Sequence, residues 1–428
     1  MRLSHIDLLE LPAGAVHSYA VEVRVRTDRP LPVSFDQRRH VGEGDRAGSW
    51  MAIALRLRYR DRVALAVAWD RVVTRHPTLH TVFAAEGGEV ALHDADVGTG
   101  RWRTHPVPPG VPTAAVIRAV FDDACRPFSH PSHALCVVEP AEAGADDGRS
   151  WVVIGSDHAH VDMWSLVVLA RDLHRALEGE TDAEIAAAFA DHTAALASMP
   201  PAPAAVRDGW RNAIASGGGA MPAFPLPLGD VSEPRAEVVE VRDILDADGV
   251  ARLDARAAAA GVRATAMALS ALTEVSLRHA GAPLRAVFPV HSRTEARWRD
   301  SVGWFITNSV IESADPDPAA CAAALKRALA LGSYPLAPIL APYGGMPATP
   351  GMFAVSWLDL RRMPVSAPAG STAHWVSASL RVDGVMVWFV LDDTGLHLRC
   401  RHPDTPEARA SLAAWLSEVA DALVARAA

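Results

Sequence analysis

The sequence predicts an α+β protein, an α/β sandwich used twice, and three observations predict it. The chain has 428 residues, and single cores stop growing near ~250–300 residues, so two lobes are expected. Stretches with strand alternation and stretches with helical spacing are interspersed throughout. A stretch dense in Pro and Gly, Met199 to Asp230, separates two such series. The first lobe is expected over 1–180 and the second over 181–428, with the crossover at about 199–230.

Taken in order, Trp50 to Arg58 reads as a strand. Asp61 to His76 carries Val63, Leu65, Ala66, Trp69, Val72 and Val73 at helical spacing, and His76-Pro77 stops that helix. Pro112 to Cys125 is a second helix, with Val116, Ile117, Val120 and Phe121 on one face. Ala134 to Val138 and Trp151 to Ser156 read as buried strands joined by a polar loop, Glu142 to Arg149, like a hairpin connection. Met163 to Leu177 is a helix ended by Glu178-Gly179, and another runs from about Ala183 to Ala197. Pro200, Pro201, Pro203, Gly217-Gly218-Gly219, Pro222, Pro225 and Pro227 then break regular structure. In the second series Val238 to Val241 is a strand, and Asp246 to Ala260 and Ala264 to Ala280 are helices. Arg285 to Val290 and Trp304 to Ile311 are strands, followed by a helix over Pro318 to Leu331. Phe353 to Leu358, Trp375 to Val382 and Val385 to Leu391 are strands, and Pro406 to Ala427 is a closing helix.

Composition narrows the function classes. Hydrophobic residues make up 50% and charged residues 21% of the chain, the balance of a soluble globular protein. The net charge of −9 argues against nucleic acid, whose binding needs a basic face. The four cysteines, Cys125, Cys136, Cys321 and Cys400, lie far apart with no C-x-x-C spacing. They read as small buried hydrophobes in a reducing compartment, with neither a disulfide framework nor a metal site. No apolar run reaches ~18 residues and none opens the chain, so neither a membrane span nor a signal peptide is expected. A cytoplasmic location is the expectation.

One cluster carries chemistry: Trp151-Val-Val-Ile-Gly-Ser-Asp157-His158-Ala-His160-Val-Asp162-Met163-Trp164-Ser165. An apolar strand delivers polar groups to the start of an apolar helix, a rigid place for a catalytic side chain. His158 suits a general base because its unperturbed pKa lies near neutrality. Asp162, four residues on, either orients the imidazole or pairs elsewhere. A structural role for His158 competes evenly on these residues alone. His160 reads as a strand-end or packing residue. Asp162 reads as a buried ion-pair partner or cap, since buried acids are rarely left unpaired. About one His-x-x-x-Asp match is expected by chance in a chain this long. Here it occurs once.

The context of that motif resembles the condensation domains of nonribosomal peptide synthetases. Pro32-Val-Ser34-Phe35-Asp-Gln37-Arg38-Arg39 looks like their opening Ser-x-x-Gln segment, and Val72-Val-Thr-Arg75-His76-Pro-Thr-Leu79-His-Thr81-Val-Phe83 like their Arg-His-x-x-Leu helix end. Cys125-Arg126-Pro127-Phe128 followed by Leu135 fits a further segment. Asp157-His158 through Leu166 aligns with their His-His-x-x-x-Asp-Gly-x-Ser-Leu. Val287-Phe-Pro-Val-His-Ser-Arg293, Val302-Gly303-Trp304-Phe305-Ile-Thr-Asn308 and Val355-Ser356-Trp-Leu-Asp359-Leu-Arg361 continue the likeness in the same order. The resemblance implies two chloramphenicol-acetyltransferase-like lobes in a V with a tunnel between them.

It also implies roles. His158 falls on the catalytic histidine, which acts as general base or positions the nucleophile during attack on an acyl thioester. Asp162 falls on a mainly structural Asp whose implied partner is Arg293. Ser165, Asn308 and Ser356 fall near tunnel-lining positions, with helix capping and strand hydrogen bonding as competing readings. Trp164 and Trp304, beside the motifs, line the cleft or pack in the core. Two departures stand out. Asp157 replaces the first histidine, and a carboxylate there is expected to raise the pKa of His158. Met163 replaces a Gly, and its side chain is expected to narrow entry of a phosphopantetheine arm.

The expected activity is acyl or aminoacyl transfer from a thioester to an amine or alcohol in natural-product biosynthesis. The alternative is a degenerate module that docks a carrier protein or tailoring enzyme. A plant-type acyl-CoA transferase would carry Asp-Phe-Gly-Trp-Gly late in the chain, and Ser356-Trp-Leu-Asp359 does not match it. No cofactor or metal is expected to be bound, because phosphopantetheine arrives on the substrate. The expected partners are an acyl or peptidyl carrier protein acting in trans, or acyl-CoA, and a small-molecule acceptor, met by a monomer. Arg38-Arg39 and Arg361-Arg362 are either solvated charge or a face for an acidic carrier.

Overall fold

The computed structural model describes residues 1–140, 148–180 and 184–428. Most of the connection expected over Glu142 to Arg149, and the start of the helix expected from Ala183, lie outside the described residues. In chain order the elements run β1 (Arg2–His5), β2 (Gly14–Leu31), α1 (Phe35–Gly42), β3 (Trp50–Leu57), α2 (Arg62–Arg75), β4 (Thr81–Glu86), β5 (Glu89–His105), α3 (Thr113–Ala124), β6 (His133–Pro140) and β7 (Ser150–Asp157). Next come α4 (Met163–Leu177), α5 (Phe189–Ala197), α6 (Ala204–Ser216), β8 (Arg235–Asp246), α7 (Ala247–Ala259), α8 (Ala264–Ala280), β9 (Leu284–His291) and β10 (Ile306–Ser313). The rest are α9 (Pro318–Leu331), α10 (Leu336–Leu340), β11 (Phe353–Asp359), β12 (His374–Ser377), β13 (Arg381–Val382), β14 (Val385–Asp392), β15 (Gly395–Pro403) and α11 (Pro406–Ala427).

These elements form two compact units. The first comprises Met1–Ser198, Arg293–Ile306 and Met363–Ser379, and the second Met199–Ser292, Thr307–Arg362 and Leu380–Ala428. The sequence expectation placed the break at 180 and gave all of 181–428 to one lobe. Two segments from the later half, carrying Arg293, Trp304 and β12, belong to the first unit.

The first unit is built on an eight-stranded sheet in the order β1-β12-β3-β7-β6-β2-β5-β4. β7 runs antiparallel to both β3 and β6, and Val152, Val153 and Ile154 are fully buried. A continuous apolar run of this kind is what a strand covered on both faces requires. α3 covers one face through Ile117 and Phe121, which pack with Ile6, Val16, Trp50, Cys136 and Val153. α2 and α4 pack on each other, and a buried ionic knot ties them. His76 Nε2 bonds Asp172 at 2.9 Å, and Arg75 and Arg171 reach the same carboxylate at 3.1 and 2.7 Å. Burial pushes the Asp172 carboxyl up, but His76 and Arg171 outweigh it and hold its pKa at about 2.

The second unit carries a seven-stranded sheet, β10-β9-β11-β14-β15-β8-β13. Its core joins the apolar faces of α7, α8, α9 and α11 to the sheet through Leu253, Ala271, Val275, Phe353, Val387, Phe389, Leu398 and Trp415. All four cysteines are buried and free. Burial raises the thiols of Cys125, Cys136 and Cys400, as expected of small core hydrophobes. Among the described residues no helix is long and apolar enough to cross a membrane.

Several elements depart from the sequence reading. α6 lies inside the stretch read as irregular: Pro203 precedes it, Gly217 follows it, and Val206, Trp210, Ala213 and Ile214 are buried at helical spacing. The Pro and Gly there mark helix ends. The single strand read over Trp375 to Val382 is two, β12 in the first sheet and β13 in the second. The strand expected from Trp304 starts at Ile306, and the helix expected from Ala183 starts at Phe189. β2, β5 and β15 escaped the reading. Charged residues dominate the outer parts of β2 and β5, where Arg26–Asp96, Arg29–Asp94 and Arg101–Glu22 pair across the ribbon.

Candidate active site

β7 ends at Asp157 and α4 begins at Met163, so the motif occupies the turn between a buried strand and a buried helix. The Asp162 side chain is the cap of α4. Its Oδ1 accepts the Ser165 N–H and hydroxyl, each at 2.7 Å. Its Oδ2 accepts from Arg293 Nη1 at 2.5 Å and from the Phe305 N–H at 3.1 Å. Arg293 also donates to Ser165 Oγ and to the Ser301 carbonyl, and its guanidinium lies 4.0 Å from the centroid of the Phe305 ring. Every member of this clamp is buried. Burial pushes the Asp162 carboxyl up, and Arg293 and Ser165 more than offset it, so Asp162 stays ionised below the usual carboxylate range.

The clamp fixes the segment 293–306 beside the motif. The Gly303 N–H donates to Ser165 Oγ at 3.0 Å, and Thr78 donates to the Val302 carbonyl at 2.6 Å. A Cβ on Gly303 would stand 2.4 Å from the Phe189 ring, so that approach requires glycine. The same segment places Trp304 over His158, ring centroids 4.0 Å apart and planes 22° from parallel.

His158 itself is half-buried. Its backbone N–H bonds the Ser49 carbonyl at 3.0 Å. Its Nδ1 lies 2.9 Å from the Val161 carbonyl. A carbonyl only accepts, so Nδ1 carries the proton and Nε2 keeps the lone pair. Burial lowers the pKa of His158, and His40 lowers it further. The expectation that Asp157 would raise this pKa is therefore corrected: its pull on the imidazolium exists, and burial together with His40 outweighs it. His158 is a neutral imidazole at pH 7.

Asp157 turns to other partners. Its carboxylate accepts from the Ser49 hydroxyl at 2.5 Å and from the Ala159 N–H at 2.8 Å, and it lies 3.4 Å from His40 Nε2. Burial pushes this carboxyl up, and His40 and Ser49 prevail, leaving it below its ordinary range. His160 points to the Thr81 carbonyl and packs on Phe83, a packing residue as read.

The remaining candidates fall as follows. Ser165 and Asp157 are both fully buried, and the Ser165 hydroxyl is engaged by Asp162, Arg293 and Gly303, so neither fits the expectation of lining an open channel. Met163 is the first residue of α4, half-buried, and its carbonyl accepts from the Trp375 indole at 2.9 Å. The Trp164 indole donates to the Arg299 carbonyl at 2.9 Å, and the ring lies against Arg293. Asn308 and Ser356 sit on β10 and β11 of the second unit, so the structure does not group them with His158 in one unit. Among the described residues no group of three or more His, Cys, Asp or Glu could hold a metal ion.

Residues that sequence reasoning missed include His40, Ser49 and Gln37. Ser34 caps α1 in a reciprocal box with Gln37, whose amide also donates to the Ala159 carbonyl at 2.9 Å. The Ser-x-x-Gln segment was noticed as resemblance, but its job of bracing the histidine turn was not legible from spacing.

The fold is shared widely. The chain superposes on the PapA2 acyl transferase with a TM-score of 0.84 over 100% of both chains, at 19% identity. It superposes on the first condensation domain of the CDA synthetase with a TM-score of 0.71 over 94% of this chain and 98% of that one, at 15% identity. No family model matches the sequence. The phosphinothricin tripeptide synthetase PhsC of Streptomyces viridochromogenes is 30% identical over 192 residues, 43% of this chain and 16% of that protein. Nonribosomal peptide synthetase 4 of Gibberella zeae is 32% identical over 181 residues, 40% of this chain and 2% of that protein. The chain thus spans 16% or less of the length of these curated relatives. The two mixed sheets are the fold that the chain shares with these acyl transferase and condensation-domain structures. In sequence, 40–43% of the chain is similar to these nonribosomal peptide synthetases.

Proposed function

We propose that the chain is a condensation-type acyltransferase of natural-product biosynthesis. It moves an acyl or aminoacyl group from a phosphopantetheine thioester, on a carrier protein or CoA, to an amine or alcohol. The observation that carries this reading is the state of His158: neutral, tied through Nδ1 to the Val161 carbonyl, with the Nε2 lone pair available. As the acceptor nitrogen or oxygen attacks the thioester carbonyl, Nε2 takes its proton. The C–S bond then breaks, and the thiolate leaves with that proton as a free thiol, so the imidazole returns neutral. General-base help of this kind is worth ~10²–10⁴-fold. Asp162 and Arg293 act behind the histidine by fixing the turn and the segment bearing Trp304. The face of Met163 is assigned to the substrate channel.

The test is a panel of acyl thioesters on CoA and on carrier proteins, each with amine and alcohol acceptors, read by intact mass. Release of free thiol matched by acylated acceptor supports the reading. A second reading, a docking module without turnover, is favoured by Met163 in place of glycine and by Trp304 covering one face of His158. Tight carrier binding with no thioester consumed across the panel would establish it.

A further inference from the structure

The carboxylate of Asp157 is adjacent in sequence to His158 and fully buried, where little solvent screens it. Left exposed to the imidazole, it would favour the imidazolium and remove the base at neutral pH. The structure holds a device against this. The His40 ring, from α1, lies with Nε2 3.4 Å from both Asp157 oxygens. Arg46 Nη2 approaches His40 Nδ1 at 3.1 Å, and Arg46 Nη1 bonds the His40 carbonyl at 2.8 Å. Guanidinium nitrogens only donate, so Nδ1 accepts and the His40 proton sits on Nε2, aimed at Asp157. The same ring sets its edge on Trp304, with centroids 5.2 Å apart, and Trp304 in turn stacks on His158. His40 thus touches both groups that decide the state and plane of the base, and its centroid stands 6.0 Å from that of His158.

We infer that His40 is a positioning residue for His158: it engages the Asp157 carboxylate and buttresses Trp304, so that a motif whose first position is an acid still presents a neutral, fixed base. This rests on the reading of His158 as that base. The charged and titratable groups around the pair are Asp157, His160 and Asp162 on the motif turn, Cys125 beside Asp157 and Arg46 beyond His40, with Glu43 3.1 Å from Arg46 and Arg293 on Asp162.

The experiment follows the His158 imidazole nitrogens by NMR against pH, assigned by their loss in His158→Ala, and needs no substrate. His40→Phe keeps an aromatic ring on Trp304 and removes the donor. The His158 midpoint is expected to move to higher pH, and Asp157→Asn added to His40→Phe is expected to reverse the move. His40→Gln keeps a donor and loses the ring, so it is expected to hold the midpoint nearer wild type while the ring-current shifts from Trp304 change. A folded His40→Phe protein with an unmoved midpoint overturns the inference. Should that variant not fold, His40→Leu with and without Asp157→Asn carries the test: a rise in the midpoint that Asp157→Asn reverses supports it, and an unmoved midpoint in His40→Leu overturns it. Failure of the acyl-transfer reading is distinguishable. A midpoint that responds, in a protein whose thioester turnover ignores His158→Ala, sinks that reading and leaves the buttress standing. With turnover established, the acid limb of the kcat/KM profile in His40→Phe is expected to follow the NMR midpoint.

Discussion

Both units bury charged groups, and what surrounds them differs: in the second the buried Arg399 lies over the Trp388 ring. The second is held by one large aliphatic and aromatic core in which Leu253, Leu398, Phe389 and Trp415 meet across helices and sheet. The first places charged groups beside its apolar clusters: the Asp162–Arg293 clamp, Asp172 between Arg75 and Arg171, and the Asp157 carboxylate bonded by Ser49. Buried ion pairs are weak sources of stability, and their usual merit is geometric. Their position in this protein agrees with that. Each lies within one element of the histidine turn, and together they fix Asp162, Trp304 and the ends of α2 and α4 around it.

The contrast can be broken by substitution. Asp162→Ala leaves Arg293 buried without its carboxylate and is expected to cost ~3–5 kcal/mol in chemical denaturation. In the second unit Leu398→Ala leaves a cavity in an apolar core and is expected to cost ~2–5 kcal/mol. The discriminating readout is local: Asp162→Ala should change the NMR signals of His158 and Trp304, and Leu398→Ala should leave them in place. A histidine turn indifferent to Asp162→Ala would remove the clamp from the account.

Acidification sharpens the comparison. Burial lowers the pKa of His76, His133, His158 and His160, all in the first unit, with His133 at about 3. Each is neutral when folded and titrates near ~6.5 when unfolded. The unfolded chain therefore takes up more protons as pH falls, so this stabilisation is complete above about pH 6.5 and drains below it toward the folded-state values. Asp172 and Asp162 add a later loss, below the unfolded carboxylate pKa near ~4. Melting temperatures are expected to decline from about pH 6.5 downward, before carboxylates protonate. A flat profile down to about pH 5 contradicts the buried neutral histidines.

The smallest effect is at Met163. Met163→Gly at the first turn of α4 is expected to cost at most ~1 kcal/mol. On the proposed function it should raise kcat/KM for carrier-bound donors more than for short pantetheine thioesters. Equal change for both would free Met163 of any gating role.

Much of this was legible in the sequence because local signals agree with the fold. α4, α8, α9 and α11 begin and end where periodicity and punctuation put them, and β7 shows as an uninterrupted apolar run. The reading failed where the cause is not local. Arg293 is 131 residues from Asp162, and only the family likeness linked them. His40 is 117 residues from Asp157 and carries no spacing signal at all. The stretch Trp375 to Val382 reads as one strand because residue type does not reveal which sheet each part joins. Gly303 showed as part of a motif, but its reason, the Phe189 ring, comes from a helix more than a hundred residues earlier.

The most direct measurement of the central claim is thioester turnover by His158→Ala, on a protein whose fold is verified by circular dichroism and by wild-type Trp304 signals. The account predicts a loss of ~10²–10⁴-fold in the chemical step with donor binding retained. Turnover equal to wild type in that folded variant would contradict it.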